Sequence, residues 1–512
     1  MLSESLTYSP VELGFGTSGL RGLASDMTDL ECYINTVGFL DFLARSNMLR
    51  PQTKVALAGD LRPSTPRILK AVAQAITDSN HNVVYIGTIP LPAAAYYSLT
   101  REIPLAMVTG SHIPADRNGI KFYKPRSEVL KADEPLIKAS VSFVRHRLYS
   151  ESESDSIFKN DGGLKQPKAL PPQTDATTEF LDRYASLFEQ PLAKKQVIVY
   201  QHSSVAADLL VNLLQKLGAE ARPVDKSVEF VPIDTENVTP ANQAYFKKLA
   251  EKYPDNFAIV SADGDADRPF VVDENGTFQR GDILGAVTAE FLGAKTAAVP
   301  ISASDALDIY LSDKGMKIVH TKIGSPYVIE AMESLAQAGG TPVVGWEVNG
   351  GFLTGSDIQV GSHSLTKLAT RDAFLPIVCA LVAAASKGIK VSELFKPLPA
   401  RFTQAGLIDN FPLENSRLIL EKYSQNTPDN YRRLEGFFSP DAGFSRITNI
   451  NSLDGVRITF DSGDIAHIRP SGNAPQLRIY SVANSQARAD EIVKLALDEP
   501  AGILRRLEKS VI

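Results

Sequence analysis

Four polar loops of this 512-residue chain follow apolar runs and carry side chains suited to phosphoryl chemistry. The first reads TGSHIP over 109–114 and is followed by NGIK over 118–121. Ser111 there stands beside a glycine and His112, with Lys121 further on, and covalent phosphoryl transfer needs such a hydroxyl, nearby cations and a tight backbone. A polar turn whose serine caps a helix is the simpler interpretation, and the full string argues against it.

The second loop, DGDADR over 263–268, carries carboxylates at alternate positions in Asp263, Asp265 and Asp267. Their oxygens can converge on one divalent cation, and hard oxygen ligands suit Mg²⁺ or Mn²⁺. Arg268 adds a cation that suits phosphate. An EF-hand calcium loop does not fit, because Arg268 takes the sixth position, which that loop reserves for glycine. A solvated acidic turn is the other alternative, and the apolar run directly before it argues against that.

The third and fourth loops are suited to binding a sugar and an anion. In GWEVNGG over 345–351, Glu347 and Asn349 can both hydrogen-bond vicinal sugar hydroxyls, although the glycines also fit an ordinary turn. RPSGNAP over 469–475 is followed by Arg478, and its arginine, hydroxyl, amide and backbone N–H groups fit a phosphate. A hairpin turn bounded by prolines is the alternative for the fourth loop.

The elements that must position these loops are predicted from short, nearly continuous apolar runs, which are typical of parallel strands covered on both faces. The predicted strands are 54–59, 83–87, 105–110, 196–200, 257–262, 296–301, 317–321 and 341–345. Helical patterns lie between them, most clearly at 206–217, with Gly218 as the stop. The alternation predicts α/β layers, in which ligands bind beyond the carboxyl ends of the strands.

The C-terminal part predicts a small antiparallel α+β domain, because the runs 456–460, 465–468 and 476–481 alternate and a helix at 485–497 follows. Polar or proline-flanked stretches at 150–173 and 397–401 mark two boundaries, and a third lies near 276–285. We therefore expect four domains, with the bounds 1–165, 166–282, 283–397 and 398–512.

Composition excludes several classes of protein. With 44% hydrophobic and 22% charged residues, the chain is an ordinary soluble globular one rather than disordered or fibrous. Its two cysteines, Cys32 and Cys379, exclude a disulfide framework and fit a reducing compartment. A net charge of −6 argues against a nucleic-acid partner, so positive charge for an anionic ligand must be local. With no leader pattern and no long apolar run, we expect a cytoplasmic protein without a membrane partner.

Three further clusters are less specific. GFGTSGLRG over 14–22 contains Arg21 and could approach a phosphate, but no strand precedes it as in a dinucleotide-binding motif. The segments 60–64 and 322–324, the second containing Lys322, also follow predicted strands. The histidines outside the first loop show no metal-binding spacing.

Together the four motifs resemble those of the α-D-phosphohexomutase family, which includes phosphoglucomutases, phosphomannomutases and phosphoglucosamine mutases. TGSHIP…NGIK is similar to the phosphoserine loop, DGDADR to the metal loop, GWEVNGG to the sugar-binding loop and RPSGNAP to the phosphate-binding loop, in the family's order. The resemblance covers essentially the whole chain. It implies three similar α/β domains with mixed, mostly parallel sheets and a smaller C-terminal α+β domain around a central cleft.

The resemblance also implies residue roles. Ser111 would carry the phosphoryl group and, through a phosphoserine oxygen, complete the Mg²⁺ site of Asp263, Asp265 and Asp267. The groups around the transferring phosphoryl would be Arg21, His112, Lys121 and Arg268, with Lys121 assigned to proton transfer. The substrate-binding residues would be Lys322, Glu347, Asn349, Arg469, Ser471, Asn473 and Arg478.

The implied activity is that of a phosphomutase of the isomerase class. It would interconvert hexose 1-phosphate and hexose 6-phosphate, of mannose or glucose, through the phosphoserine. Hexose 1,6-bisphosphate would be both intermediate and activator. The partner would be a small sugar phosphate, and the protein a monomer or small homo-oligomer.

Departures from the family pattern keep alternatives open. Asn349 and Gly351 stand where many members have serine and histidine, and Asn473-Ala474 replaces a common Thr-Glu. The segment 90–92 reads Pro-Leu-Pro where many members have Pro-Thr-Pro. An amino-sugar phosphate mutase, a metal-dependent phosphatase or kinase-like transferase, and a non-catalytic sugar-phosphate-binding paralogue are the alternatives. Retention of Ser111 and all three aspartates argues against the last.

Overall fold

The computed structural model describes residues 1–16, 19–236, 238–471 and 475–512, and these fall into two compact units. The first unit comprises Met1–Ala297 and Gly324–Phe395, and the second comprises Ala298–Ile323 and Lys396–Ile512. The four domain bounds given above stay a prediction.

The strands of the described residues are short. In chain order they are β1 Gly14–Gly16, β2 Gly19–Leu23, β3 Lys54–Gly59, β4 Asn82–Thr88, β5 Leu105–Val108, β6 Arg117–Lys124, β7 Ser127–Glu128, β8 Gln196–His202, β9 Glu220–Lys226, β10 Asn256–Ala262, β11 Pro269–Asp273, β12 Phe278–Gln279, β13 Thr296–Pro300, β14 Lys317–Thr321, β15 Val343–Trp346, β16 Phe352–Thr354, β17 Ile358–Val360, β18 His363–Leu365, β19 Leu368–Asp372, β20 Phe402–Asp409, β21 Ile447–Asn451, β22 Val456–Phe460, β23 Ile465–Pro470 and β24 Gln476–Ala483.

Helices alternate with these strands along most of the chain. They are α1 Leu2–Ser5, α2 Asp29–Arg45, α3 Thr65–Asp78, α4 Leu91–Thr100, α5 Glu134–Tyr149, α6 Thr178–Ala185, α7 Ala207–Lys216, α8 Pro240–Lys252, α9 Gly281–Phe291, α10 Ala306–Asp313, α11 Ser325–Gln337, α12 Phe374–Lys387, α13 Val391–Phe395, α14 Leu413–Tyr423, α15 Pro428–Glu435, α16 Gln486–Leu497 and α17 Ile503–Lys509. A 3₁₀ turn spans Pro440–Ala442. No helix within the described ranges combines the length and the apolar character that crossing a bilayer requires.

The first sheet of the first unit has the strand order β1-β2-β6-β5-β3-β4, with β7 paired to β6. Strand β3 pairs in parallel with β4 and β5, whereas β6 runs antiparallel to β5 and β2. Every residue of β5 is buried, as is β3 after its first residue. The apolar runs become central strands because both faces of the sheet are covered. The loop that contains Ser111 follows the carboxyl end of β5 directly.

Two other candidate loops are hairpin turns of the first unit. Strand β10 pairs with β11 from Ala262 and Pro269 onward, so the metal loop is the connection between these strands. Strand β15 pairs with β16 through Trp346 and Phe352, so the sugar-binding loop is a connection of the same kind. Both loops therefore have their two ends fixed by a strand pair.

The second unit contains an antiparallel sheet of order β20-β24-β23-β22-β21. Burial alternates along β22, as expected of a sheet with one face on a core. Helix α16 begins after Ser485, whose side chain accepts a hydrogen bond from the Arg488 N–H. This arrangement confirms the predicted antiparallel α+β region, and the phosphate-binding loop joins β23 to β24.

The sheets are mixed, as the predicted α/β fold requires. In the first unit the parallel pairs include those of β3 with β4 and β5, and of β8 with β9 and β10. Antiparallel pairs there include β5 with β6, β10 with β11, β15 with β16 and β16 with β19, because short turns such as the metal loop send the chain straight back. The polar segment 150–173 is also more than a linker, since its Phe158 and Leu164 belong to the core around β3.

Candidate active site

Ser111 is held in an unusual conformation beside the metal loop. Its φ of +55° is in the left-handed region, which costs a non-glycine residue about 1–3 kcal/mol. Its Oγ donates a hydrogen bond to Asp263 Oδ2 at 2.7 Å and lies 3.4 Å from Nδ1 of His112. Its backbone N–H donates to Thr109 Oγ1 at 2.9 Å. The Ser111 hydroxyl and the Asp263 carboxylate are therefore in direct contact.

Arg62 holds the loop in this conformation. Its fully buried guanidinium pairs with Asp60 at 3.2 Å. It also donates to four backbone carbonyl oxygens, those of Ser111 (2.8 Å), Ile113 (2.6 Å), Pro114 (2.6 Å) and Arg117 (2.9 Å). Gly110 is required for this approach, because a Cβ there would lie 2.5 Å from Cζ of Arg62. One planar side chain thus ties the whole loop to the end of β3.

Asp263, Asp265 and Asp267 form the one group in the described part of the chain whose arrangement could hold a metal ion. One ligand oxygen from each lies within 4.8 Å of the others, and all three residues are buried. Oδ1 of Asp265 and Oδ1 of Asp267 have no hydrogen-bond partner among the described residues. Burial and the two neighbouring carboxylates raise the pKa of Asp263 well above its usual range. A hard divalent cation fits this oxygen set.

Lys121 connects the phosphoserine loop's sheet to the metal loop. Its Nζ donates to Asp265 Oδ2 at 2.8 Å and to Asp267 Oδ2 at 2.7 Å. Burial alone would raise the pKa of Asp267, but Arg371 and Lys121 more than offset it and lower the pKa below its usual value. Thr109 Oγ1 adds a third hydrogen bond, to Asp265 Oδ2 at 3.0 Å.

Arg21, His112 and Arg268 are close enough to affect one another. Burial, Arg268 and Arg371 lower the pKa of Arg21 to about 10. Burial, Arg268 and Arg21 lower the pKa of His112 to about 2, so its imidazole is neutral at pH 7. Mutual repulsion among buried cations is relieved by an anion, so this is a favourable place for a phosphate.

The sugar-binding loop is held from two sides. Oε2 of Glu347 accepts from Arg371 Nη1 at 2.7 Å. Asn349 Oδ1 accepts from the Gly351 N–H at 3.0 Å, and its Nδ2 donates to Glu236 Oε1 at 3.2 Å. Glu347 and Asn349, which are predicted to hydrogen-bond the sugar hydroxyls, thus lie in one hairpin turn. Both side chains have hydrogen-bond partners within the protein.

An acidic segment, residues 234–236, lies against Arg268. It belongs to none of the motifs described above. The Arg268 Nη1 atom is 3.4 Å from Asp234 Oδ1 and 3.5 Å from Glu236 Oε1. Thr235 Oγ1 donates to the Asn349 carbonyl at 2.9 Å. The segment therefore connects the metal loop and the sugar-binding loop.

Predicted substrate-binding residues of the second unit lie around β23 and β24. Arg469 and Arg478 are directly opposite each other in the β23–β24 register, an arrangement of like charges that an anion stabilises. Arg469 Nε donates to Asp454 Oδ2 at 3.0 Å, and the same oxygen accepts from Ile323 N, next to Lys322, at 2.9 Å. Buried Ser471 follows β23, and the predicted residue Asn473 lies outside the described residues.

Sequence reasoning missed three positioning residues, Arg62, Arg371 and Asp454. Arg62 lies in the segment 60–64, which follows a predicted strand. The sequence therefore indicated its position near the strand end but not its role in holding the loop. Arg371 and Asp454 belong to no motif, because their partners are distant in the sequence.

Comparison with known proteins identifies the family. Models of α/β/α domains I and III of the phosphoglucomutase/phosphomannomutase family match residues 12–144 and 280–402. A phosphomannomutase of Salmonella muenchen is 40% identical over 491 residues, which are 95% of each chain. A phosphomannomutase of Sinorhizobium fredii is 35% identical over 94% of this chain and 98% of its own.

A solved structure shows the same fold. The phosphoglucomutase/phosphomannomutase family protein of Burkholderia thailandensis has a TM-score of 0.69 at 19% identity, with 97% of each chain covered. The sequence relatives and the motif geometry agree with this likeness. The chain therefore belongs to the phosphoglucomutase/phosphomannomutase family and is a phosphohexomutase, an enzyme of the isomerase class.

Proposed function

We propose that this phosphohexomutase interconverts mannose 1-phosphate and mannose 6-phosphate, or the corresponding glucose phosphates, with Ser111 as the phosphoryl carrier. Two relatives that are at least 35% identical are phosphomannomutases, which supports mannose as the sugar. The observation that carries the proposal is the 2.7 Å contact of Ser111 Oγ with Asp263 in the buried aspartate group.

The proposed cofactor is Mg²⁺, held by Asp263, Asp265 and Asp267 together with an oxygen of phosphorylated Ser111. When bound, it supplies positive charge that stabilises the oxygens of the transferring phosphoryl group. Arg21 and Arg268 would contribute fixed positive charge from the protein, and neutral His112 a hydrogen bond.

In the first step the sugar's free hydroxyl oxygen forms a bond to phosphorus while the bond between phosphorus and Ser111 Oγ breaks. The hydroxyl loses a proton and Ser111 Oγ gains one, so the step balances. We assign Lys121 Nζ, which reaches the metal loop, to carry this proton. The hexose 1,6-bisphosphate then returns its other phosphoryl group to Ser111, and in trace amounts it also primes Ser111.

The phosphate that does not react is proposed to bind Lys322, Arg469, Ser471, Asn473 and Arg478. The opposed arginines of β23 and β24 support an anion there, as does Nε of Arg478, which has no hydrogen-bond partner among the described residues. Glu347 and Asn349 are proposed to form hydrogen bonds with the sugar hydroxyls.

We also propose the four domains with the bounds predicted above, supported by the family matches to domains I and III. The buried free thiols of Cys32 and Cys379 support a cytoplasmic location. A small sugar phosphate is the proposed partner, with no nucleic acid or membrane, for a monomer or small homo-oligomer.

Replacement of Ser111 tests the proposal. Ser111→Ala should reduce mutase turnover to the detection limit, because alanine has no hydroxyl to carry the phosphoryl group. Mass spectrometry of wild-type protein treated with hexose 1,6-bisphosphate should find one phosphate on Ser111. Ser98→Ala, which alters a buried serine bonded to the Ile103 carbonyl, is the control and should keep full activity. Near-normal turnover by Ser111→Ala would refute the assignment.

A further inference from the structure

We propose that Arg371 is the residue that positions Glu347 for sugar binding, and that it takes the space a side chain at position 351 would otherwise fill. The inference rests on the proposed function and names a specificity-determining residue for it. Three observations carry it: the close approach at Gly351, the ion pairs of Arg371 with Glu347 and Asp267, and the anchored strand β19 that contains Arg371.

Gly351 is a glycine because Arg371 leaves no room for a side chain. A Cβ at this position would lie 2.8 Å from both Cγ and Cδ of Arg371 and 2.8 Å from the Asp267 carbonyl oxygen. Backbone conformation does not demand the glycine, since Gly351 is absent from the positions with positive φ, whereas its neighbour Gly350 has a φ of +88°. The histidine that many family members carry here is thus sterically incompatible with Arg371.

The guanidinium of Arg371 joins the sugar-binding loop to the metal loop. Its Nη1 donates to Glu347 Oε2 at 2.7 Å, and its Nη2 lies 2.7 Å from Asp267 Oδ2. Arg371 is 4% exposed and Glu347 is 5% exposed, so neither group is screened by solvent. A planar fork can hold two carboxylates at fixed angles, which the single ammonium of lysine cannot do.

Strand β19 places Arg371 rigidly. Asp372 on one side pairs with Phe352 in the register of β16 with β19, and accepts from the Phe374 N–H at 2.8 Å. Thr370 on the other side donates to Glu128 Oε1 at 2.5 Å. Because both neighbours are anchored, the arginine can hold the carboxylate of Glu347 in one orientation toward the sugar.

Kinetics of three variants test this role. Arg371→Ala should lower kcat/KM about 10- to 100-fold, as expected for a residue that orients a ligand-binding group. It should also change the ratio of kcat/KM for mannose 1-phosphate and glucose 1-phosphate, because the oriented carboxylate reads the sugar. Arg371→Lys should be nearly as impaired. Gly351→Ala should be impaired too, since its methyl group displaces Arg371.

Added guanidinium ion separates positioning from a merely structural role. At millimolar concentrations, guanidinium should raise the activity of Arg371→Ala several-fold. Urea at the same concentration should leave that activity unchanged. Arg145→Ala is the matched control, because it breaks the buried pair of Arg145 with Glu31 away from this site. It should lower the melting temperature and leave kcat and KM unchanged.

The outcomes distinguish the two proposals. An inactive wild-type protein would refute the proposed function and this inference with it. Wild-type turnover with unchanged constants and sugar ratio in Arg371→Ala would refute only the role of Arg371. Loss of activity in Arg371→Ala without rescue and with an unchanged sugar ratio would also refute it. If Arg371→Ala does not fold, wild-type kinetics in Arg371→Lys and Gly351→Ala would be the contradicting result.

Discussion

The conformation of Ser111 depends on a side chain that is distant in sequence and takes no part in the chemistry. Arg62 satisfies four carbonyl oxygens of the loop and is itself neutralised by Asp60, with no exposure of either side chain. Such a buried pair stabilises only when both partners are present, because a single buried charge is costly. Ser111 keeps its left-handed φ because the hydrogen bonds of Arg62 and its ion pair with Asp60 fix the loop in one conformation.

Removing Arg62 should therefore destabilise the protein and reduce its activity. Arg62→Met leaves Asp60 buried without its partner, and we expect a loss of about 3–5 kcal/mol in the free energy of unfolding. Chemical denaturation measures this loss. The double variant Asp60→Asn/Arg62→Met should lose less than Arg62→Met alone, since no uncompensated charge remains.

An exposed ion pair of the same type is the control for Arg62. Arg101→Met breaks the pair of Arg101 with Glu179, in which both side chains are at least 36% exposed. Its effect should be about 0–1 kcal/mol. Equal losses for Arg62→Met and Arg101→Met would contradict the role assigned to Arg62.

At the scale of single residues, the sequence predicts those site residues that lie close together in the chain. Asp263, Asp265 and Asp267 are recognisable because one short loop contains all of them, and the structure brings them within 4.8 Å. Arg371 meets Glu347 only after the hairpin of β15 and β16 is formed and β19 pairs with it. No local sequence pattern predicts such a pair. The glycine at position 351, where many family members have histidine, was the only sequence feature that pointed to it.

The elements were predicted well where apolar runs were continuous and less well at their ends. Strands β3 and β14 have the predicted bounds, and the predicted stop at Gly218 follows helix α7 with a left-handed φ of +89°. The run 341–345 is displaced, because the strand starts at Val343 and continues through Trp346. The Trp346 indole Nε1 donates to the Asp282 carbonyl, a long-range contact that fixes this strand end.

Strands β8 and β10 are joined at their carboxyl ends by His202, and this contact makes stability depend on pH. Nε2 of His202 is 2.8 Å from the Ala262 carbonyl oxygen, and burial lowers the pKa of His202 to about 4. The native imidazole is neutral, whereas the unfolded one binds a proton below about pH 6.5. The free energy of unfolding should fall between pH 6.5 and 4, by up to about 1.4 kcal/mol per pH unit.

His202→Gln should remove this part of the pH dependence, because the amide does not titrate. Denaturant unfolding at several pH values measures it. The exposed His363, replaced in the same way, should leave the slope unchanged. A wild-type slope in His202→Gln would contradict the assignment.

Asp454 should control substrate binding in the second unit without taking part in phosphoryl transfer. One carboxylate oxygen holds Arg469 and the backbone beside Lys322. His467 Nε2 lies 2.6 Å from the Asp454 carbonyl oxygen and anchors it. Asp454→Asn should raise KM for the sugar phosphate about tenfold, equivalent to about 1.4 kcal/mol, with kcat little changed.

Steady-state kinetics measure this effect, and Asp461→Asn, on an exposed turn, is the control. A fall in kcat at unchanged KM would assign Asp454 to the chemistry instead.

For the whole molecule, a net charge of −6 coexists with sites for an anionic substrate. In the first unit, Arg21, Arg268 and Arg371 form a local group of cations, in which Arg268 and Arg371 lower the pKa of Arg21. The second unit has Arg469 and Arg478 opposite each other. Composition predicted that the positive charge had to be local, and the motifs contain Arg21, Arg268 and Arg469.

The central claim is that this enzyme moves a phosphoryl group between the 1- and 6-hydroxyls of a hexose through Ser111. Phosphorus NMR tests it most directly, with purified protein, Mg²⁺, a trace of hexose 1,6-bisphosphate, and the 1-phosphates of mannose, glucose, glucosamine and N-acetylglucosamine. We predict that the mannose 1-phosphate signal is replaced by that of mannose 6-phosphate, with glucose as the next best substrate. Release of inorganic phosphate alone, or no change with any of the four sugars, would contradict the account.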